Sequence, residues 1–285
     1  MPVCSSVVEN AHPAQEPSRR AAAFFDLDKT VIAKSSALAF SRPFYRSGLI
    51  NRRSVLKSAY AQFVFLLGGA DHDQMEKMRD YLCGLVRGWN VQQVREIVGE
   101  TLHDLIAPIV YDEAASLIEE HRRAGREVVI VSSSGSEVVE PIGELLGADR
   151  VIATRLVVEN GHYTGDVDYY AYGETKAEAV RGLAASEGYD LAASYAYSDS
   201  VTDVPLLSAV GHPHAVNPDR GLRKEAASHG WPVLSFDRPV RLAGPGRRLP
   251  VRPSSPAGAA VALAGAAAAV GLTWWLLRRT RSDRA

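Results

Sequence analysis

An apolar run at residues 21–25 (AAAFF) stops abruptly at Asp26-Leu27-Asp28-Lys29-Thr30, and this break restricts the fold more than any other feature. Five apolar residues with no polar alternation suit a strand buried on both faces, as in a parallel sheet lying between helices. A second run at 127–131 (EVVIV) ends in Ser132-Ser133-Ser134-Gly135. Further strands are expected at 151–158, turning back through Gly161 as a hairpin, at 195–197 and at 215–216. Helices are expected after the serine run, from Lys176, near 203–209 and near Leu222. Strands alternating with helices predict an α/β domain with a Rossmann-like parallel sheet.

Between the first two strands, residues 34–124 show no strand-like alternation. Residues 54–67 are apolar and close with Gly68-Gly69. Segments 71–86, 91–106 and 111–124 repeat apolar residues at three- and four-residue spacing, and Gly125 supplies a helix stop. This block reads as a helical cap inserted after the first strand, leaving 21–33 and 125–237 as the core.

The 285 residues are 46% hydrophobic and 23% charged, which excludes a wholly disordered chain, a collagen-like repeat and a multi-pass membrane protein. Two cysteines, Cys4 and Cys83, are too few for a disulfide framework or a four-cysteine zinc site, and a reducing intracellular setting is the simplest reading. Residues 238–285 hold nine arginines against one acid, Asp283, so the rest of the chain carries 23 bases and 32 acids. An acidic body argues against nucleic acid as a partner, and a basic tail suits anionic lipid.

The ends differ from the body. Residues 1–20 are polar, lack the apolar stretch of a signal peptide and read as a disordered arm. Residues 238–256 form a basic, Pro-rich linker. Residues 257–277 are uncharged and run into Arg278-Arg279, opening a basic tail over 278–285. As a helix the uncharged stretch would span about 30 Å, the thickness of a bilayer core. A C-terminal transmembrane helix is therefore expected, with an Ala-rich helix docked on the body as the other reading. Arginines flank the stretch on both sides, so charge does not orient it. The expectation is a membrane protein with a single span and a cytoplasmic catalytic body.

Four sites fall at expected strand ends or helix starts, where ligands of open parallel sheets bind. Asp26 and Asp28, two apart in an extended segment, present both carboxylates to one side. A carboxylate can attack phosphorus and a second carboxyl can protonate a leaving alcohol, whereas a solvated turn or a calcium-loop fragment would use the same pair structurally. Crowded acids call for a divalent cation, and magnesium (Mg2+) takes one or two carboxylates, keeps waters and binds phosphate oxygens. Ser132 could hold an anion, or merely cap a helix. Ser134-x-x-Glu137 already forms a capping box, which leaves Ser132 free. Lys176, expected as the first helical residue inside a second box, Thr175-x-x-Glu178, is either a surface lysine or a phosphate-neutralising cation. Asp199 is the better metal-ligand candidate after the fifth strand, with Asp203 a ligand or a helix cap.

The ordered set Asp26-Leu27-Asp28-Lys29-Thr30, Ser132, Lys176 and Ser198-Asp199-Ser200-x-x-Asp203 resembles the haloacid dehalogenase-like (HAD) superfamily. The helical insertion resembles the branch containing phosphoserine phosphatases. The resemblance covers about residues 21–237. It implies Asp26 as nucleophile and Asp28 as general acid and then general base. It further implies magnesium held by the Asp26 carboxylate, the Asp28 carbonyl and Asp199, with Asp203 orienting its waters. Ser132 and Lys176 would bind the phosphoryl group, Thr30 would support the loop, and Asn217 would line the site.

Two positions depart from the branch. Ser35 stands where phosphoserine phosphatases carry a glutamate suited to the substrate ammonium, and Ser198 stands where glycine is frequent. The expectation is a magnesium-dependent phosphomonoester hydrolase acting on a small phosphorylated metabolite or a phospholipid-related substrate. A phosphotransferase to an acceptor other than water, and a membrane-associated regulatory protein with a vestigial site, are the alternatives. Arg42, Arg46, Arg52 and Arg53 would greet an acidic substrate or simply be solvated. The 63–67 run (FVFLL) reads as cap core or a lipid groove.

Overall fold

The computed structural model describes residues 20–50 and 83–238. The expected arm and linker, except Arg20 and Arg238, the helix over 54–67, nearly all of that over 71–86, Arg52 and Arg53, the transmembrane helix and the basic tail lie outside them. Among the described residues, no helix is long and apolar enough to cross a membrane. The chain divides into two units, Met1–Leu242 and Ala243–Ala285, and every described element belongs to the first.

Among the described residues seven strands form one sheet: β1 (Ala22–Asp26), β2 (Glu127–Gly135), β3 (Arg150–Glu159), β4 (His162–Tyr169), β5 (Tyr195–Ser198), β6 (His212–Val216) and β7 (Val233–Leu234). Their order is β4-β3-β2-β1-β5-β6-β7. Every pairing is parallel except the β3–β4 hairpin. In β1 the alternation of faces is complete. Ala23 and Phe25 enter one apolar cluster with Val128, Ile130 and Tyr197, while Ala22 and Phe24 enter the other with Val129, Val131 and Leu206. Both faces are covered, which is why the run carries no polar residue until Asp26.

Among the described residues there are eight α-helices: α1 (Ser36–Ala39), α2 (Ser41–Arg46), α3 (Val91–Ile106), α4 (Asp112–Arg123), α5 (Ser136–Leu146), α6 (Glu174–Glu187), α7 (Val204–Ser208) and α8 (Arg220–His229). Helix α3 occupies the expected 91–106 span, started by the Asn90 side chain accepting from the Gln93 amide at 3.0 Å. It packs against α5, whereas α4 packs on β1 and β2. Gly125 follows α4 at φ +73°, the left-handed turn that releases the chain into β2.

Both expected capping boxes are absent. Gly135 and Gly173 occupy the cap positions of α5 and α6, and neither helix has a side-chain cap. Ser134 points its hydroxyl elsewhere, and Thr175 turns back to the carbonyls of Tyr170 and Tyr172. A serine or threonine caps a helix only if no tertiary acceptor outbids the local amide. Lys176 is consequently the third residue of α6 rather than the first.

Strand β1 sits where the connection order reverses: β2 and β3 lie to one side, β5, β6 and β7 to the other. The carboxyl ends of β1 and β5 therefore open onto the crevice where this class of sheet binds ligands.

Candidate active site

Asp26 ends β1, with only 6% of its surface exposed. Beyond it the chain coils tightly. The amides of Val31 and Ile32 both donate to the Leu27 carbonyl, and Lys29 takes the left-handed conformation at φ +65°. This turn returns Thr30 to Asp26, whose Oδ2 accepts from Thr30 Oγ1 at 3.2 Å. Asp26 Oδ1 accepts from Lys176 Nζ at 2.7 Å.

The same ammonium donates at 2.9 Å to Asp203 Oδ2, which also accepts from Ser198 Oγ at 2.7 Å. Residues 150 apart in sequence thus meet in a buried carboxylate–ammonium–carboxylate bridge, with Lys176 only 3% exposed. The surface-lysine reading does not survive. Nor does Asp203 cap α7: one oxygen faces Lys176, and the buried Oδ1 has no hydrogen-bond partner.

Electrostatics single out the acids. Burial pushes Asp26 up to about 7; Lys176 opposes the rise, and Asp203 and Asp199 reinforce it. Burial likewise raises Asp199 to about 6, with Lys29 opposing and Asp203 and Asp219 reinforcing. Burial alone would depress Lys176, but Asp203 and Asp26 outweigh it and hold the ammonium above the ordinary lysine range. The crevice is short of positive charge.

That shortage, together with the unpartnered Asp203 oxygen, fits a small hard cation. Among the described residues no three His, Cys, Asp or Glu side chains group as a self-sufficient metal cage. Magnesium does not need one, since it uses one or two carboxylates and fills its octahedron with water, carbonyl and substrate oxygens.

The remaining residues divide. Ser132 is buried in the carboxyl-terminal half of β2, where its register shifts, its Oγ accepting from the Ser134 amide at 3.2 Å. Asp28 is half-buried, accepting from the Ser36 amide at 2.8 Å on Oδ1 and from Ser134 Oγ at 3.1 Å on Oδ2. Asn217 is committed elsewhere. Its Nδ2 donates to the Phe236 carbonyl at 2.8 Å and its Oδ1 accepts from the Phe236 amide at 3.0 Å, fastening β6 to the segment after β7.

Asp219 escaped the sequence reading. Its Oδ1 accepts from the Leu222 amide at 2.7 Å, capping α8, and its Oδ2 accepts from the Val201 amide at 3.0 Å. Its own amide donates to the Asp199 carbonyl at 2.8 Å. One residue therefore braces the Asp199–Asp203 loop, and its place just before a helix was the available signal. Ser36 and Lys29 were also missed, because Ser36 meets Ser134 across 98 residues and Lys29 acts on Asp199 from a distant loop. Ser198, seen as a departure from glycine, is the hydroxyl that orients Asp203.

The chain is similar to several known proteins. A family model described as haloacid dehalogenase-like hydrolase matches residues 23–208. The chain is 71% identical over 263 residues to a Streptomyces azureus protein named "Inhibition of morphological differentiation protein", covering 91% of this chain and 94% of that one. It is 58% identical over 286 residues to "Probable phosphatase Rv3661" of Mycobacterium tuberculosis H37Rv, covering 98% of each, and 35% identical over 218 residues to that organism's phosphoserine phosphatase SerB1, covering 76% of this chain and 71% of that one. A crystal structure from Bordetella pertussis Tohama I, of unknown function, superposes with a TM-score of 0.68 at 30% identity, covering 76% of this chain and 99% of the other.

Proposed function

Because the chain belongs to the haloacid dehalogenase-like hydrolases and is phosphoserine phosphatase-like, we propose that it is a magnesium-dependent phosphomonoester hydrolase working through an aspartyl phosphate on Asp26. The observation that carries this reading is the bridge Asp26–Lys176–Asp203 at the sheet's switch point. The bridge puts a buried cation between two acids at the carboxyl end of the central strand, where this class of sheet binds its ligands, and that supports a role in binding phosphate.

The chemistry follows from the residues. Lys176 and the Ser132 hydroxyl are the groups suited to phosphoryl oxygens, the first by charge and the second by a directed hydrogen bond. An Asp26 oxygen forms a bond to phosphorus as the bond to the ester oxygen breaks, and Asp28 passes its proton to that leaving oxygen. Asp28, now a carboxylate, takes a proton from water as the water oxygen bonds to phosphorus and the Asp26–phosphorus bond breaks. Phosphate leaves and both aspartates are restored. A magnesium ion held by the Asp26 carboxylate, the Asp28 carbonyl and Asp199 would supply the positive charge the crevice lacks and draw charge from the phosphoryl oxygens.

A small alcohol phosphate is the substrate class we favour. The name of the 35% identical relative supports phosphoserine, while Ser35, in place of the glutamate expected for an ammonium group, favours a different alcohol. The experiment is hydrolysis by the full-length protein of a phosphate-ester panel including phosphoserine and lysophospholipids, with and without magnesium. Magnesium-dependent phosphate release is expected. No release from any ester would overturn the reading, and transfer only to an added alcohol would make the protein a phosphotransferase.

We further propose that residues 257–277 tether the catalytic body to the cytoplasmic face of a membrane, on the strength of 21 uncharged residues followed by arginines. Alkaline carbonate extraction and protease accessibility in spheroplasts test this. Release by carbonate, or cleavage of the body from outside, would contradict it.

A further inference from the structure

We propose that Ser134 is a positioning residue for the proton-donating Asp28, holding its carboxyl group in line with the leaving oxygen through a hydroxyl chain that begins in the inserted segment. The inference rests on the phosphatase reading and names a residue that the sequence pattern assigns to helix capping.

The geometry diverts Ser134 from that task. Gly135 takes the cap position, and the Ser134 hydroxyl donates to Asp28 Oδ2 at 3.1 Å. Ser134 Oγ itself accepts from Ser36 Oγ at 2.9 Å, and the Ser36 backbone amide donates to Asp28 Oδ1 at 2.8 Å. Each carboxyl oxygen of Asp28 thus has its own donor. Two donors on two oxygens fix the plane of the group, whereas one would leave it free to swing. Ser36 is fully buried and opens α1, the first helix of the insertion between β1 and β2. Ser134 lies at the end of β2. The carboxyl is therefore clamped jointly by the sheet and the inserted segment, and the clamp closes on the acid rather than on the nucleophile.

A general acid works only when its proton lies within hydrogen-bond reach of the leaving atom. A misplacement of about 1 Å can cost two orders of magnitude. Loss of the clamp should consequently be felt in proportion to how much the leaving group needs a proton. An alkyl alkoxide needs one badly, and p-nitrophenolate hardly at all.

The experiment compares kcat/KM of the full-length wild type, Ser134→Ala, Ser134→Thr and Ser36→Ala on two esters. These are p-nitrophenyl phosphate and the alkyl phosphate that the wild type hydrolyses fastest. This ratio reports steps only up to phosphorylation of Asp26, so Asp28's later role as base does not enter. Ser134→Ala keeps the backbone amide that serves Ser132.

It should lower kcat/KM on the alkyl ester about 10- to 100-fold, part of the roughly 10²–10⁴ that a general acid contributes, with p-nitrophenyl phosphate changed less than about threefold. Ser134→Thr should restore most of the loss, and Ser36→Ala should show the same selectivity at smaller size. Equal loss on both esters, or no loss on either, would overturn the positioning role while leaving the phosphatase reading intact. A wild type inactive on both esters would overturn the two together. Should Ser134→Ala fail to fold, Ser36→Ala decides by the same comparison.

Discussion

Replacing Lys176 by methionine isolates what the buried bridge contributes. Methionine nearly matches the lysine stem in length and removes only the ammonium, which is 2.7 Å from Asp26 and 2.9 Å from Asp203. Both acids are nearly inaccessible to water, at 6% and 1% exposure, so neither can be rehydrated without moving the core. Stranding a buried charge by deleting its partner costs about 3–5 kcal/mol. With a urea dependence of about 3 kcal/mol per molar, the unfolding midpoint should fall by about 1–1.7 M.

The cause can be separated from the loss of a large side chain by adding Asp203→Asn. That change removes one stranded charge and should return about 1–2 kcal/mol, of the order a lost buried ionic partner commands. Proton linkage gives an independent sign. A carboxylate whose folded pKa is raised takes up a proton more readily folded than unfolded, so its destabilisation grows as pH rises through the folded pKa. The cost of Lys176→Met should accordingly be larger at pH 8 than at pH 5.5. A loss below about 1 kcal/mol, or no recovery with Asp203→Asn, would refute the reasoning.

Three further expectations can be checked together. Chelation with EDTA should abolish phosphate release and magnesium restore it, with Asp199→Asn raising the magnesium needed for half-maximal rate at least 10-fold, since even an outer-shell partner of a metal is worth about 10–100-fold in affinity; an unchanged requirement would remove Asp199 from the metal. His121 is buried beneath the aromatic face of the sheet, accepting from Arg126 Nε at 2.7 Å and contacting the Tyr197 hydroxyl at 2.8 Å, and burial, reinforced by Arg126 and His214, depresses it to about 4. Because the folded pKa lies below the unfolded 6.5, its stabilisation is complete above pH 6.5 and is lost as pH falls towards 4. Unfolding free energies from urea titrations at pH 7.5 and 4.5 should thus differ by about 2–3 kcal/mol less in His121→Gln than in wild type. Asp219→Ala should cost about 1–2 kcal/mol in thermal unfolding through the lost cap of α8, and it should lower kcat by loosening the Asp199 loop. An unaltered kcat would deny the bracing role.

The central strands were legible because burial on both faces demands an uninterrupted apolar run, as at 127–131, whereas β7, two residues long at the sheet's edge, has no such run and was not expected. Helix α3 was legible to the residue, since its apolar spacing and its Asn90 cap act locally. The carboxylates were legible as a constellation because Asp26, Asp199 and Asp203 each follow a strand whose end can be read.

Two hydroxyls could not be read. Ser134 and Thr175 present the local signature of helix caps, and only the assembled fold reveals acceptors close enough to draw them away. The resemblance implies that Asn217 lines the site, and no sequence pattern shows that its amide closes on Phe236, 19 residues away. Lys176 lay between the two cases. Its position was visible, but that it would be buried between two acids was not, because the second acid's orientation depends on Ser198.

The most direct test of the central claim is where phosphate resides during turnover. Full-length protein mixed with magnesium and a phosphate-labelled ester, then quenched in acid within milliseconds, should carry hydroxylamine-labile label that peptide mass spectrometry maps to Asp26, and Asp26→Asn should carry none. Label on Ser132 or any other serine, or turnover that persists in Asp26→Asn, would contradict the account.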